Sequence, residues 1–297
     1  AATLGDVPAR TLAVGFQRAA RRKKATIDGG EPLKLADAIG AFPAVIFSPA
    51  DAELVAGAPS ERRRFLDVML SLTSRAYLSA LQRYRAALAR RNAALREGGG
   101  GRGTSGIEVW EPALADAGAV LWRSRRSWVR THADDFGSLC AAIGEQGRSA
   151  LRYVTALDCE DDEIAPALLE AFARRRPLDV QRGMTHAGPH RDDLELTLEG
   201  RDLRTFGSAG QQRTAAIALR LLEASTLRAA AGAEPIVLLD DPFAELDQRR
   251  TAHILQLLQG DGRGQTILAV PRATDIPADL TRLDRWRVHD GQLTPSA

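Results

Sequence analysis

Lysine is almost missing from this chain: of 40 basic residues among 297, only Lys23, Lys24 and Lys34 are lysines. None of the three follows a Gly-x-x-x-x-Gly, so the sequence contains no phosphate loop of the Walker A kind. Cysteine is nearly absent too. Cys140 and Cys159 form no close motif, so no cysteine framework organises the fold, and a reducing cytoplasm is the expected compartment. No apolar run approaches membrane-spanning length, and the opening Ala-Ala-Thr-Leu-Gly-Asp lacks the basic and apolar regions of a signal peptide. Two suggestive patterns also lack a needed part. The glycine-rich stretch 98–105 has phosphate-loop spacing, but Thr104 stands where lysine is required and no buried strand precedes it, so it reads as a linker. His186 and His190 are four apart, yet Gly188-Pro189 between them forbids a helix, and zinc is not expected.

With 44% apolar and 26% charged residues, the chain has the composition of a folded soluble protein long enough for two domains. A net charge of +2 does not by itself call for nucleic acid; its distribution says more. Between Gly57 and Asp135 there are fourteen Arg against eight Asp or Glu, whereas Asp158 to Glu163 is acidic. Arg62, Arg63 and Arg64, with Arg83, Arg90 and Arg91 further on, are therefore candidate DNA-phosphate contacts. Arginines on a solvated helix face are the plainer alternative.

The stretch Thr205 to Asp247 carries the chemistry. Residues 207–222 place Ser208 and Gly210 at the opening of a strongly helical run, where unpaired N–H groups and the helix dipole suit an anion without any lysine. Some fifteen residues on, Pro235-Ile-Val-Leu-Leu-Asp-Asp241 predicts a buried strand delivering two carboxylates at its carboxyl end, where open α/β sheets bind ligands. Asp240 is placed to hold Mg²⁺ and Asp241 to orient or deprotonate a water attacking a γ-phosphate. Pro242 stops the strand, and a helix is predicted to start at Ala244.

Around this stretch, alternating residues in 10–16 and 24–28 predict antiparallel strands about a basic turn, and 42–47 a further strand. Pro59-Ser60 predicts a helix start with Ser60 as N-cap. Tyr77, Leu81, Tyr84, Leu88 and Leu95 mark a narrow helical seam; Pro112 opens a second helix with Leu114, Leu121 and Trp128 every seven residues. Together these predict an antiparallel helical arm ending near Gly147. Strands are predicted at 151–154, 194–198 and 265–270, and a helix from Ile164 to Arg175.

At these residues the sequence resembles a known family. Phe206-Gly-Ser-Ala-Gly-Gln-Gln-Arg-Thr-Ala-Ala-Ile-Ala-Leu-Arg220 looks like the signature motif of ABC-type ATPases in the form used by the RecF family of bacterial recombinational-repair proteins. Leu238-Leu-Asp-Asp-Pro-Phe-Ala-Glu-Leu-Asp247 looks like its Walker B and D-loop. Phe47 to Asp67 and Ala187-Gly-Pro-His-Arg-Asp-Asp-Leu194 are similar to RecF rather than to ABC ATPases generally, so the resemblance spans nearly the whole chain.

The resemblance implies an α/β ABC-ATPase head, incomplete as a P-loop NTPase, with an inserted α-helical arm. Residues 1–55 would be the remainder of the N-terminal part of the ATPase lobe, 56–147 the arm, and 148–297 the C-terminal part. Opening on Ala within that lobe, the chain is expected to be N-terminally incomplete, lacking the phosphate-loop lysine. In such heads two copies dimerise around ATP and Mg²⁺. Ser208, Gly210 and Gln211 would then contact the partner's nucleotide, while Asp240 and Asp241 serve the chain's own site and Asp247 is the D-loop residue. The implied biology is binding of single-stranded DNA and gapped duplex in replication and repair, with RecR as partner and RecO and RecA in the same pathway, leading to gap repair and SOS induction. Two alternatives stay open. One is another SMC-like head, against which the arm argues, since about 38 residues reach only some 57 Å; the other is a non-catalytic DNA- or partner-binding module.

Overall fold

The structure, a computed structural model, describes residues 11–18, 22–31, 35–98, 106–242, 248–259, 264–276, 280 and 283–296. Strands β1 (Leu12–Gln17) and β2 (Arg22–Ile27) pair antiparallel. β3 (Ala44–Phe47) leads through Ser48-Pro49 to helices α1 (Pro59–Thr73), α2 (Arg75–Gly98) and α3 (Glu111–Ile143). Then come β4 (Ser149–Val154), α4 (Ile164–Arg182), β5 (Asp193–Leu198), β6 (Arg201–Asp202), α5 (Ala209–Ala231) and β7 (Ile236–Asp240). α6 (Gln248–Gln259), β8 (Thr266–Ala269) and the hairpin β9 (Trp286–His289) with β10 (Gln292–Pro295) follow.

The α/β class holds, and its strands fall into separate small sheets. β3, β7 and β8 lie side by side in that order, parallel, with Ile46, Leu238 and Ile267 in one cross-strand row. β4, β5 and β6 form an antiparallel sheet in that order. Alternation explains how β7 is used: Val237 and Leu239 are buried, while Asp240, at the carboxyl end, is exposed. Helix α5 packs on β3 and runs through the core, its residues Ala215 to Leu219 all buried.

The helical seams are buried where periodicity puts them. Tyr77, Leu81 and Tyr84 on α2, and Leu114, Leu121 and Trp128 on α3, join one core cluster with Leu88 at its rim, and Leu95 is buried as well, each buried side chain contributing about 1.5–3 kcal/mol by leaving water. Helices α2 and α3 pack on each other, and α3 continues onto β4, α4 and α5. Its 33 residues make a rod of about 50 Å. The rod ends on Gly144, left-handed at φ 119°, somewhat before Gly147.

Three boundaries depart from the sequence expectation. Ala58, not Ser60, is the N-cap of α1, because Pro59 takes the first helical position that its fixed φ and missing N–H suit. α4 continues beyond Arg175, through Pro177, to Arg182. Tertiary contact overrides the proline, since Asp179 in that last turn is fully buried against Arg91. Residues 99–105 of the glycine-rich stretch, and the expected helix start at Ala244, lie outside the described residues.

Candidate functional site

Ser208 is the N-cap of α5, in an extended conformation at φ −66° and ψ 161°. Its Oγ accepts from Gln211 N at 3.3 Å, and Ser208 N donates to Gln211 Oε1 at 2.9 Å, a reciprocal capping box. Gln211 thereby fixes the turn, and Ser208 stays exposed. The first-turn N–H groups of this 23-residue helix have no acceptors within it and carry the positive end of its dipole.

The two carboxylates sit on a different element. Asp240 is the last residue of β7 and is exposed; Asp241 turns away at φ 44°, a left-handed conformation that aspartate tolerates, with its N–H on Ala269 O at 2.9 Å. Arg272, just past β8, is exposed and paired with Asp275 at 3.1 Å. That hydrogen bond and the Asp275 charge hold the guanidinium above its ordinary value, with a smaller contribution from Asp241. The D-loop candidate Asp247 lies outside the described residues.

Arg213 joins these pieces, a connection that sequence reasoning missed. It is buried at 4% exposure on α5; Nη1 donates to Ser48 O at 2.9 Å, and Nη2 to Asp241 O and Pro242 O, each at 3.3 Å. One guanidinium thus holds the helix start, the exit of β3 and the carboxyl end of β7 together. Two turns on, Arg220 Nη2 pairs with Asp51 Oδ1 at 2.7 Å and Nη1 with Glu223 Oε2 at 2.7 Å, clamping the same post-β3 segment. The available signal was an arginine opening the otherwise buried run 213–219.

The basic candidates separate by burial. Arg62 is a correction: at 4% exposure it donates to Asp193 from Nε at 2.8 Å and Nη2 at 2.9 Å, and from Nη1 to Val55 O and Gly57 O, so no phosphate reaches it. Arg91 is a second correction, fully buried against Asp179, Glu111 and Thr185. Arg63 is half-buried on Asp192 O at 2.8 Å; desolvation, then the charge of Arg125, lowers its affinity for its proton. Arg64, Arg83 and Arg90 are exposed, Arg90 stacked 4.8 Å over the Trp110 ring.

The stretch His190 to Asp193 lies at the arm's attachment. His190 Nε2 faces Thr185 O at 3.0 Å, which can only accept, so that nitrogen carries the proton and Nδ1 accepts from Tyr84 Oη of α2 at 2.6 Å. Burial pushes His190 down to about 4, holding it neutral in this role. Asp192 accepts from Tyr153 Oη at 2.6 Å, while burial raises its carboxyl above the usual range. Arg125 of α3 ties Asp67 at 2.6 Å, Tyr77 Oη at 3.0 Å and Pro189 O at 2.7 Å. His186, for its part, pairs with Asp179 at 2.8 Å.

A parallel sheet whose acidic strand end is fixed to the capped start of a core helix, with a helical arm beside it, is the architecture of an ABC-type ATPase head. No protein-family model matches the chain. It is 38% identical over 264 residues to the DNA replication and repair protein RecF of Herpetosiphon aurantiacus, covering 88% of this chain and 68% of that one. It is 34% identical over 279 residues to the same-named protein of Bacillus subtilis, covering 91% and 75%. Two solved structures of the recombination mediator protein RecF in the RecFOR pathway, one of RecF-ATPrS and one of RecF-ATP, superpose with TM-scores of 0.84 and 0.82 at 27% identity. They cover 98% and 97% of this chain and 78% and 76% of theirs. The chain belongs to the RecF family.

Proposed function

We propose that this chain is a RecF-type ATPase head that binds DNA and ATP in replication and gap repair, acting in the cytoplasm with RecR, and with RecO and RecA in the same pathway. The observation that carries the reading is the Arg213 clamp, which holds the capped start of α5 and the carboxyl end of β7 as one unit. ATP-dependent dimerisation then sets Ser208, Gly210 and Gln211 against the nucleotide of a partner head.

The residues present fit part of an ATP·Mg²⁺ site. The exposed Asp240 at a strand end suits a cation that takes one or two carboxylates and otherwise phosphates and water. Among the described residues no cluster of three or more metal-ligating side chains exists, so the phosphates must supply much of the coordination. Held by Asp240, Mg²⁺ would supply positive charge beside the phosphates. Asp241 orients the attacking water, and Asp247 is the D-loop residue. The Ser208 turn holds phosphate oxygens through helix-start N–H groups. Residues 56–147 act as the DNA-facing arm on a lobe built from 1–55 and 148–297, with the exposed Arg64, Arg83 and Arg90 on phosphates.

Mixing tests this reading. A longer RecF with a sound phosphate loop and an inactivated signature serine should regain ATP hydrolysis when combined with this chain. A mixed dimer that forms and stays inactive removes residues 207–213 from the trans role.

A further inference from the structure

We propose that Arg250 is a positioning residue that links the C-terminal end of the helical arm to the signature turn, so that the state of the arm sets the geometry around Gly210. This rests on the reading of 207–213 as a signature.

Arg250 lies in the first turn of α6 with its side chain 19% exposed. Its Nη1 donates to Thr214 Oγ1 at 3.2 Å, and that hydroxyl donates onward to Gly210 O at 3.0 Å. Guanidinium, hydroxyl and signature carbonyl therefore form a continuous relay. The approach is close: a Cβ added to Gly210 would stand 3.1 Å from Arg250 Nη1. At the other end of the guanidinium, Nη2 pairs with Glu145 Oε2 at 3.3 Å. Glu145 is two residues past the end of α3, its N–H held by Cys140 O at 2.9 Å. One turn further along α6, His253 Nδ1 meets Ile143 O at 3.2 Å. The left-handed Gly144 brings this turn against both side chains; a Cβ there would lie 3.5 Å from His253 Nδ1 and 3.6 Å from Arg250 Cγ.

The start of α6 thus grips the end of α3 at two points and the signature helix at one. α3 is the rod that packs along α2, the helix bearing the exposed Arg83 and Arg90. A rod of that length carries a displacement at one end to the other as a rigid element, and coupling of this kind needs contiguous contacts with two available arrangements. The pair to Glu145 suits such a role. At 3.3 Å, and with the Glu145 side chain only 7% exposed, it is the contact through which a shift of α3 would reach Arg250. A purely structural ion pair would hold α6 in place without responding to DNA, and the test separates the two.

The readout is amide hydrogen exchange over residues 208–214 of this chain, with and without a single-stranded oligonucleotide. DNA should change protection there in the wild type. In Glu145→Gln and Arg250→Ala the change should be lost, and Arg250→Lys should restore part of it. A DNA response of equal size in both variants, or no response in the wild type, overturns the link. The same variants enter the mixed-dimer ATPase assay, where Glu145→Gln should keep the DNA-free rate and lower DNA stimulation by about fivefold. Unaltered stimulation overturns the link as well. A wild-type chain that shows the exchange response but restores no hydrolysis overturns the signature reading instead.

Discussion

Arg62 and Asp193 face each other through two hydrogen bonds, Nε to Oδ1 at 2.8 Å and Nη2 to Oδ2 at 2.9 Å, joining the start of α1 to the start of β5. This fork on a carboxylate is the strong form of the ion pair; Arg62 is buried in it, while the Asp193 side chain is 29% exposed. Arg62→Ala should therefore cost about 1–3 kcal/mol in urea unfolding, because it leaves three backbone carbonyls without their donor while Asp193 keeps the Leu194 N–H and some water. A cost below about 1 kcal/mol would mean that the fork holds nothing together.

The neighbouring arginines should behave oppositely. Arg64, Arg83 and Arg90 are exposed, so their replacement by Ala should leave unfolding within about 0.5 kcal/mol of wild type. Together these changes should weaken DNA binding for all sequences alike and, on single strands, flatten the dependence of log K on log salt by about 0.7 for each phosphate that an arginine no longer neutralises. An unchanged slope in the triple variant would take this face of the arm off the DNA.

His190 gives a pH signature. Its folded value near 4 lies below its ordinary 6.5, so the unfolded chain binds the proton more readily. The stability it contributes is complete above about pH 6.5 and is lost as pH falls toward 4, by up to about 3 kcal/mol in total. Asp192, raised by burial, titrates in the opposite sense, so the comparison is with His190→Gln. Between pH 7.5 and 4.5, wild type should lose distinctly more stability than the variant. Parallel curves would show that the imidazole is not held neutral.

What the sequence revealed and what it hid follow from the range of the interactions. Strand β7, the capped start of α5 and the seams of α2 and α3 are local patterns, and each lies within a few residues of its expected place. Burial of arginine is not local. Arg62, Arg63 and Arg64 are three consecutive identical letters, yet α1 turns the first onto Asp193, the second partly onto Asp192 and the third to solvent. The Arg213 and Arg125 clamps likewise close on backbone carbonyls, which have no letter in a sequence. Ser60 and Pro177 show the same limit at element ends, where proline chemistry and tertiary contact compete.

Gly188 tests the arm's attachment. At φ 116° it occupies backbone that side chains rarely adopt, and a Cβ there would stand 2.6 Å from Tyr84 Oη. Gly188→Ala must displace the Tyr84 to His190 hydrogen bond, so it should destabilise the chain by about 2 kcal/mol or more. It should also abolish the pH difference between wild type and His190→Gln. A stable Gly188→Ala protein with that difference intact would separate His190 from Tyr84.

For ATP the expectation is set by the missing lysine. No Gly-x-x-x-x-Gly-Lys occurs in the 297 residues, and one exposed carboxylate beside Asp241 repels a polyanion rather than holding it. Titration calorimetry of this chain alone with ATP and Mg²⁺ should show no tight binding. A sub-micromolar site would mean that other groups replace the phosphate loop.

Ser208 then carries the sharpest test, because its two functions respond differently to substitution. Ser208→Ala removes the hydroxyl that accepts from Gln211 N, costing about 1 kcal/mol of helix stability, and it keeps the turn open to a partner. If 207–213 completes the partner's site, losing that polar group should reduce mixed-dimer ATP hydrolysis on the order of ten- to a thousandfold. Ser208→Arg adds a favourable charge toward phosphate, yet its bulk at an exposed helix start should block closure of the dimer and abolish the rescue. Equal rescue by Ser208→Arg and wild type would place the partner's nucleotide elsewhere, since no arginine at this N-cap leaves room for a phosphate on the N–H groups behind it.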